Sequence, residues 1–509
     1  MKRTLNKYLI FSFLLVFGMS SCEKNFLQVT GSGTTLETDF YKTQEEFFQA
    51  LVATYDPLQW GGTDGWTMLL GLANAASDDT HAGGSDASDQ PSWVAWDMFT
   101  LNPDLGPQSG LWKKNYAGIY RANLLLEKLA EQDFLESDFV NRTMAEAKFL
   151  RAYYYFDLVR LFGNVPLITS TLGADEFSTQ MQVPPSEIYA QVESDLRDAI
   201  NTIELPTTLP PDEFGRVTQG AAKSLLGKAI LYQNNEGRML EAAAIFEEVI
   251  NSGVYFLEPN FGDIFKTSNE FGPESIWEIQ YSDNRPGDWG CCFASGPTNQ
   301  QTEGNYNIQF FGMRDYVGPT YATGWSFCPV SENLATAMQS DPRFQHTIID
   351  GNALQQQGAS YSPGYQNTDY FIRKYAPIAD EAATDGVLEL AWKNNIRDIR
   401  LADVMLMAAE ALVRGGGDEG AARGYVNAIR LRAGTIPISG SGQDLLDRIY
   451  LERRFELATE GHRFFDLVRT GRAAEVLGDR GYVEGVHNVL PIPQTEIDLS
   501  GSLLQNPGY

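Results

Sequence analysis

Three stretches of this chain each hold two consecutive segments of helical period, and that pairing limits the fold more than any other feature. In "AEAKFLRAYYYFDLVRLFGNVPL" Ala145, Phe149, Ala152, Phe156 and Val159 recur at spacings of four and three, which places them on one helix face. Gly163 and Pro166 then end the helix. "GLWKKNYAGIYRANLLLEKLA" reads as the helix before it, with Trp112, Tyr116, Ile119 and Asn123 on a common side. The arrangement returns in "VTQGAAKSLLGKAILYQN" with "RMLEAAAIFEEVINSG", and again in "IRDIRLADVMLMAAEALVRG" with "EGAARGYVNAIRLRAG".

In each second helix an alanine precedes an aromatic by four residues: Ala145 and Phe149, Ala242 and Phe246, Ala421 and Tyr425. Such a pair is one part of the tetratricopeptide pattern, where a small residue lets helices approach and an aromatic fills the gap above it. The repeats are degenerate and irregularly spaced, so the expected fold is mainly α: a tetratricopeptide-like scaffold of helix pairs with long insertions and a few short strands. Residues 59–110 and 257–392 are those insertions, rich in Gly, Asn, Asp, Pro and aromatics, with "SIWEIQYS" as a strand candidate. Loops of this length in a compact protein usually carry function.

The first residues, "MKRTLNKYLIFSFLLVFGMSSC", have a basic start, an apolar stretch from Tyr8 to Phe17 and small residues before Cys22, the plan of an export signal. A cysteine in that place marks a bacterial lipoprotein signal over 1–21, with Cys22 lipidated and residues 22–509 forming one domain. Met19 and Ser21 depart from the commoner residues of such boxes. With 43% hydrophobic and 20% charged residues the chain has ample core material. Its formal net charge is −28, and loss of Lys2, Arg3 and Lys7 with the leader leaves 35 basic against 66 acidic residues, or −31. That field repels nucleic acid and leaves neutral ligands unaffected. Beyond Cys22 only Cys291, Cys292 and Cys328 remain, too few for a disulfide framework; the adjacent pair in "DWGCCFASG" reads as two buried thiols, with a strained vicinal disulfide as the alternative.

The leader, the helical scaffold, "AEAKFLRAYYYFDLVRLFGNVPL", the later "IYLERRFELATEGHRFFDLVRTGRA" and the closing "VLPIPQTEIDLSGSLLQNPGY" together resemble the SusD/RagB family of outer-membrane nutrient-binding lipoproteins. The resemblance implies a non-enzymatic receptor without cofactor, anchored by lipid in the outer membrane and facing the cell surface. It would capture oligo- or polysaccharide and act as the lid of a SusC-like TonB-dependent barrel.

A pyranose offers an apolar C–H face to an aromatic plane, while its hydroxyls need amide, carboxylate or guanidinium partners. The first insertion holds Trp60, Trp66, Trp93 and Trp96 among Asn74, Asp78 and Asp79; the second holds Trp289, Tyr321 and Trp325 near Asn284, Arg285 and Asn299. The family builds its sugar platform from these two regions, which implies Trp66, Trp96, Trp289 and Trp325 as stacking residues and Asn74 and Asp79 as hydroxyl partners.

Other motifs read as structural. Tyr153, Tyr154 and Tyr155 lie about 100° apart around a helix, so they pack against different neighbours and form no flat surface. Glu452, Arg453, Arg454, Glu456, Glu460, Arg463, Asp466 and Arg469 crowd around Gly461 as a charged network fixing a helix corner. His81, His346, His462 and His487 are isolated, and Asp78, Asp79, Asp86 and Asp89 lack the spacing of a calcium loop, so no metal site is expected. Two readings of other classes remain: an exported glycoside hydrolase, for which two suitably spaced carboxylates suffice, and a scaffold binding peptide or glycoprotein.

Overall fold

In the computed structural model, which describes residues 40–61, 66–284, 303–384 and 386–509, the three tyrosines leave one helix in three directions. That helix runs Ser137–Phe162 and all three rings are buried. The Tyr153 hydroxyl donates to Asp398 Oδ1 at 2.8 Å, Tyr154 to the Thr54 carbonyl at 2.7 Å, and Tyr155 to the Ile168 carbonyl at 2.8 Å. Burial of a phenol requires such a partner, and each is satisfied by a different part of the chain.

The chain divides into Met1–Phe47 and Phe48–Tyr509. In the first, Glu46 Oε2 accepts from the Lys42 and Thr43 amides while the Glu46 amide donates to Thr43 Oγ1, a reciprocal cap that starts the helix Gln44–Tyr55. The leader and Cys22 lie outside the described residues. No helix among the described residues is long and apolar enough to cross a membrane.

In Phe48–Tyr509 the helices Gln108–Glu131 and Ser137–Phe162 pack together as the first pair. The second is Gln219–Tyr232 with Met239–Ile250, and the third Leu401–Arg414 with Glu419–Arg432. Leu401–Arg414 also packs on Met239–Ile250 and on Gly442–Glu456, which makes one continuous helical stack. Small residues set the approach in the second pair: a Cβ on Gly227 would fall 2.5 Å from the Phe246 ring, and Ala242 and Phe246 are both fully buried.

Two features depart from the sequence reading. A further helix, Pro185–Asn201, stands between the first and second pairs, burying Ile188, Val192, Leu196 and Ala199. Its apolar stripe is narrow and its surface charged, and Arg151 holds it to the preceding helix through both oxygens of Asp195 at 2.8 and 2.7 Å. In the third pair Ala421 and Tyr425 are only half-buried; the inward stripe is Ala422, Val426 and Ile429, one residue on, while Tyr425 donates to Glu247 at 3.0 Å. A shift of one residue turns the buried face by about 100°.

The strand candidate is present as Ser275–Ile279, paired antiparallel with Ile396–Arg400 from Ser275↔Arg400 to Ile279↔Ile396. The insertions also contain short helices, Leu69–Ala75 and Pro91–Asp97 in the first and Tyr306–Phe311 in the second. Elements of six or seven residues complete too few turns to reveal a period in sequence. The chain's ending closes on the tyrosine helix: Asn506 Nδ2 donates to the carbonyls of Phe162 and Leu490 at 2.9 and 2.7 Å.

Candidate functional site

Trp66 from the first insertion and Trp325 from the second meet with ring centroids 5.3 Å apart and planes inclined at 61°. Both are half-buried. Beneath them lies an aromatic bed: Phe310 is 5.2 Å from Trp66 and 5.7 Å from Trp325, Tyr306 is 5.6 Å from Trp66, and Phe327 is 5.4 Å from Trp325. Trp93, fully buried, meets Phe310 edge-on at 5.5 Å. Edge-to-face contacts of this kind hold rings in fixed orientations, because the positive edge of one seeks the negative face of the next.

The backbone sets the same geometry. Trp66 has φ +63°, a left-handed conformation uncommon for a side chain of this size. Its carbonyl accepts from the Trp93 indole at 2.9 Å, and the following amide, Thr67, donates to the Gly61 carbonyl at 2.8 Å. Trp325 is held by its amide on the Gln309 carbonyl at 2.9 Å, and Phe327 by its amide on the Phe310 carbonyl at 2.7 Å. This approach of two backbones requires glycine, since a Cβ on Gly324 would lie 2.2 Å from Gly312 Cα. The result is an angled pair of indole faces on a rigid floor.

The other proposed contacts are placed elsewhere. Trp96 is 1% exposed and meets Phe464 edge-on at 5.3 Å, so it is a core residue with no face open to a ligand. Asn74, also buried, donates through Nδ2 to the Thr459 carbonyl and accepts from the Gly461 amide, both at 2.9 Å. Asp79 is buried too, with Oδ1 accepting from Arg454 Nε at 2.8 Å and burial raising its carboxyl above the usual range. Asn74 and Asp79 therefore serve the protein's own joint. Trp60 and Tyr321 are buried under the guanidinium groups of Arg121 and Arg373. Trp289, Arg285, Asn299, Cys291 and Cys292 lie outside the described residues, and Cys328 is a buried free thiol. Sequence reasoning missed Tyr306 and Phe310, whose spacing of four on a short helix was the available signal.

The charged corner is a dense ionic joint. Glu456 meets Arg343 at 2.9 Å and Arg400 at 2.7 Å; Glu460 meets Lys374 at 2.6 Å and Arg400 at 2.8 Å. Arg453 reaches Asp403 at 2.7 Å, and Arg469 reaches Glu410 at 2.6 Å. Burial is the largest influence on Glu456 and pushes its carboxyl up, yet Arg432, Arg400 and Arg343 together hold it well below the usual range. Carboxylates so paired have no proton to give and no open lone pairs for a substrate, which suits a joint and not an acid–base dyad. Arg463 and Arg454 extend the joint to Asp78, at 2.7 and 2.9 Å, so the acidic loop of the first insertion is stapled by arginine. Gly461 supplies the turn with φ +79°. Among the described residues no group of three His, Cys, Asp or Glu side chains is arranged to hold a metal ion.

Comparison with known proteins bears on this architecture. A family profile described as "SusD family" matches residues 273–509, and one described as "Starch-binding associating with outer membrane" matches residues 73–231. The chain is 27% identical to "SusD-like protein P25" of Formosa agariphila over 97% of its own length and 98% of the relative's. It superposes on a solved "Laminarin binding SusD-like protein" with TM-score 0.84 and 41% identity, covering 92% of this chain and all of the other. It likewise matches surface glycan-binding protein A from Bacteroides thetaiotaomicron, solved with laminarihexaose, with TM-score 0.82 and 31% identity over 91% and 99% of the two chains. With the helical stack, the tyrosine helix and the arginine–carboxylate corner in place along nearly its whole length, the chain belongs to the SusD/RagB family.

Proposed function

We propose that this protein captures oligo- or polysaccharide at the cell surface and hands it to an importer. The observation that carries the reading is the Trp66–Trp325 pair, two half-buried indoles brought together from separate insertions over a fixed aromatic bed. Each indole face suits the C–H face of a pyranose, and planes inclined at 61° suit a glycan whose successive sugar faces turn along the chain. A preformed site loses little ordering entropy on binding. The similar structures named for laminarin and laminarihexaose support a glycan as ligand and make laminarin the first to test.

In this reading the mature chain, residues 22–509, works as one domain tethered by lipid on Cys22 to the outer membrane. The family description that mentions the outer membrane supports that location. The partner is a SusC-like TonB-dependent barrel, and the protein binds without turning its ligand over. The test is affinity electrophoresis and calorimetry of the mature protein against laminarin, starch and other glycans. Retardation by at least one of them is expected, with no reducing ends released. Absence of binding to the whole panel rejects the reading in favour of a peptide-binding scaffold, and release of reducing ends rejects it in favour of a hydrolase.

A further inference from the structure

A polar cavity of about 70 Å³ lies where the helical stack, the paired strands and the Tyr306–Phe311 helix converge. It is lined by Lys114 and Asp157 from the first helix pair, Tyr281 and Asp398 from the strand region, and Asn307 from the helix under the indoles. Two of its lining residues are incomplete: Tyr281 Oη and Asn307 Oδ1 are buried without a hydrogen-bond partner among the described residues. Native structures rarely leave such groups unmatched, and ordered water is the usual remedy.

Size and charge narrow the occupant. A water needs about 10–15 Å³ of such space, so the volume is enough for a few ordered waters. Both signs of charge are present and locally matched. Arg160 pairs with Asp157 at 2.6 Å, the Asp398 carboxylate accepts from Tyr153, and Lys114 donates to the Leu58 carbonyl at 3.0 Å while facing Asp157 and Asp398. Glu460, which also lines the space, is committed to Lys374 and Arg400. His462, on the same wall, is kept neutral near pH 7, its pKa lowered to about 4 by burial first and Lys228 next. Arg397, also on the wall, lies 3.5 Å from Glu270 and 3.6 Å from Glu278, so each lining charge has an opposite partner, which favours a neutral molecule able to donate and accept.

We propose that this cavity is a permanent water site whose occupants accept from Tyr281 Oη and donate to Asn307 Oδ1, joining the helix beneath the indoles to the scaffold. Asn307 is next to Tyr306 and three residues before Phe310, so the waters complete the hydrogen bonding of the element on which Trp66 rests.

The test is a crystal structure of the mature protein at atomic resolution, with a xenon-pressurised crystal beside it and the Tyr281→Phe variant as a third. Two or more water peaks at hydrogen-bonding distance from Tyr281 Oη and Asn307 Oδ1 are expected, with no xenon in the cavity. Tyr281→Phe should keep the fold and lose the peak at the missing hydroxyl. Empty density, bound xenon, an anomalous peak marking an ion, or an unchanged water pattern in Tyr281→Phe would overturn the proposal.

Discussion

Gly118 lies against the Tyr154 ring so closely that a Cβ on it would fall 2.2 Å from Tyr154 Cε2. The two helices of the first pair cross at this point, and Tyr154 is fully buried with its hydroxyl fixed on the Thr54 carbonyl. Gly118→Ala should therefore force the helices apart and lower stability by about 1–3 kcal/mol despite alanine's better helix propensity. Chemical denaturation of the variant beside the wild type checks this; equal stability would mean that the crossing yields without strain.

Trp66 and Trp325 should differ from Trp96 in what their loss affects. Trp66→Ala and Trp325→Ala are each expected to weaken glycan binding several-fold, on the order of 1 kcal/mol, and the double variant to abolish retardation in a glycan gel with the circular dichroism spectrum retained. Trp96→Ala instead opens a core cavity against Phe464 and should cost about 3–5 kcal/mol of stability. If Trp96→Ala folds normally but loses glycan binding, the assignment of these residues is reversed.

Arg400 reaches Glu274, Glu456 and Glu460 from a fully buried position. Arg400→Met would strand these carboxylates in a dry joint and should destabilise the fold by about 3–5 kcal/mol. A thermal unfolding midpoint unchanged within error would show that the remaining arginines suffice.

Acid should weaken the protein in two steps, each with the same sign. His462 is lowered from 6.5 to about 4, chiefly by burial, so the unfolded chain takes up a proton first and stability falls as pH drops from about 6.5 to 4. Asp466 goes from 3.8 to about 2: burial, the largest influence, opposes the shift, but Arg453 and Arg469 outweigh it. Its contribution is present above pH 3.8 and is lost as pH falls through about 2. The histidine step is worth about 3 kcal/mol and the aspartate step about 2 kcal/mol. Unfolding midpoints measured from pH 7 to 2 check both, and His462→Gln should flatten the upper step alone.

Cys22→Ala should abolish fatty-acid labelling of the exported protein and release it from the membrane fraction. Unchanged labelling in that variant would place the lipid elsewhere or remove it from the account.

The helical scaffold was legible because its information is local. Ala145 and Phe149, or Ala242 and Phe246, are neighbours on one helix face before any tertiary contact forms, and both pairs end fully buried. The Pro185–Asn201 helix escaped notice because its charged surface outnumbers a four-residue apolar stripe, and its attachment through Arg151 and Asp195 is invisible until the helices meet. In the third pair the alanine–aromatic spacing pointed one residue away from the face that packs, since Glu247 on another helix draws the Tyr425 hydroxyl outward.

The candidate site was only partly legible for the same reason. Trp66 and Trp96 stand in one loop-rich insertion with similar neighbours in sequence, yet the second is 1% exposed against Phe464 while the first is half-buried on Phe310 and Tyr306. Asn74 and Asp79 have the chemistry of sugar partners, and the corner around Thr459, Gly461 and Arg454 consumes that chemistry.

Sequence alone determined the helix periods, the paired scaffold, the acidic balance and the motifs of the family, because each rests on residues close together in the chain or on composition. Tertiary structure decided which indoles are fully covered and which only half, which acids are spent on arginine, and where a polar cavity remains between elements. Exposure and pairing are set by contacts between residues far apart in sequence, and no local pattern encodes which of two similar side chains will be covered.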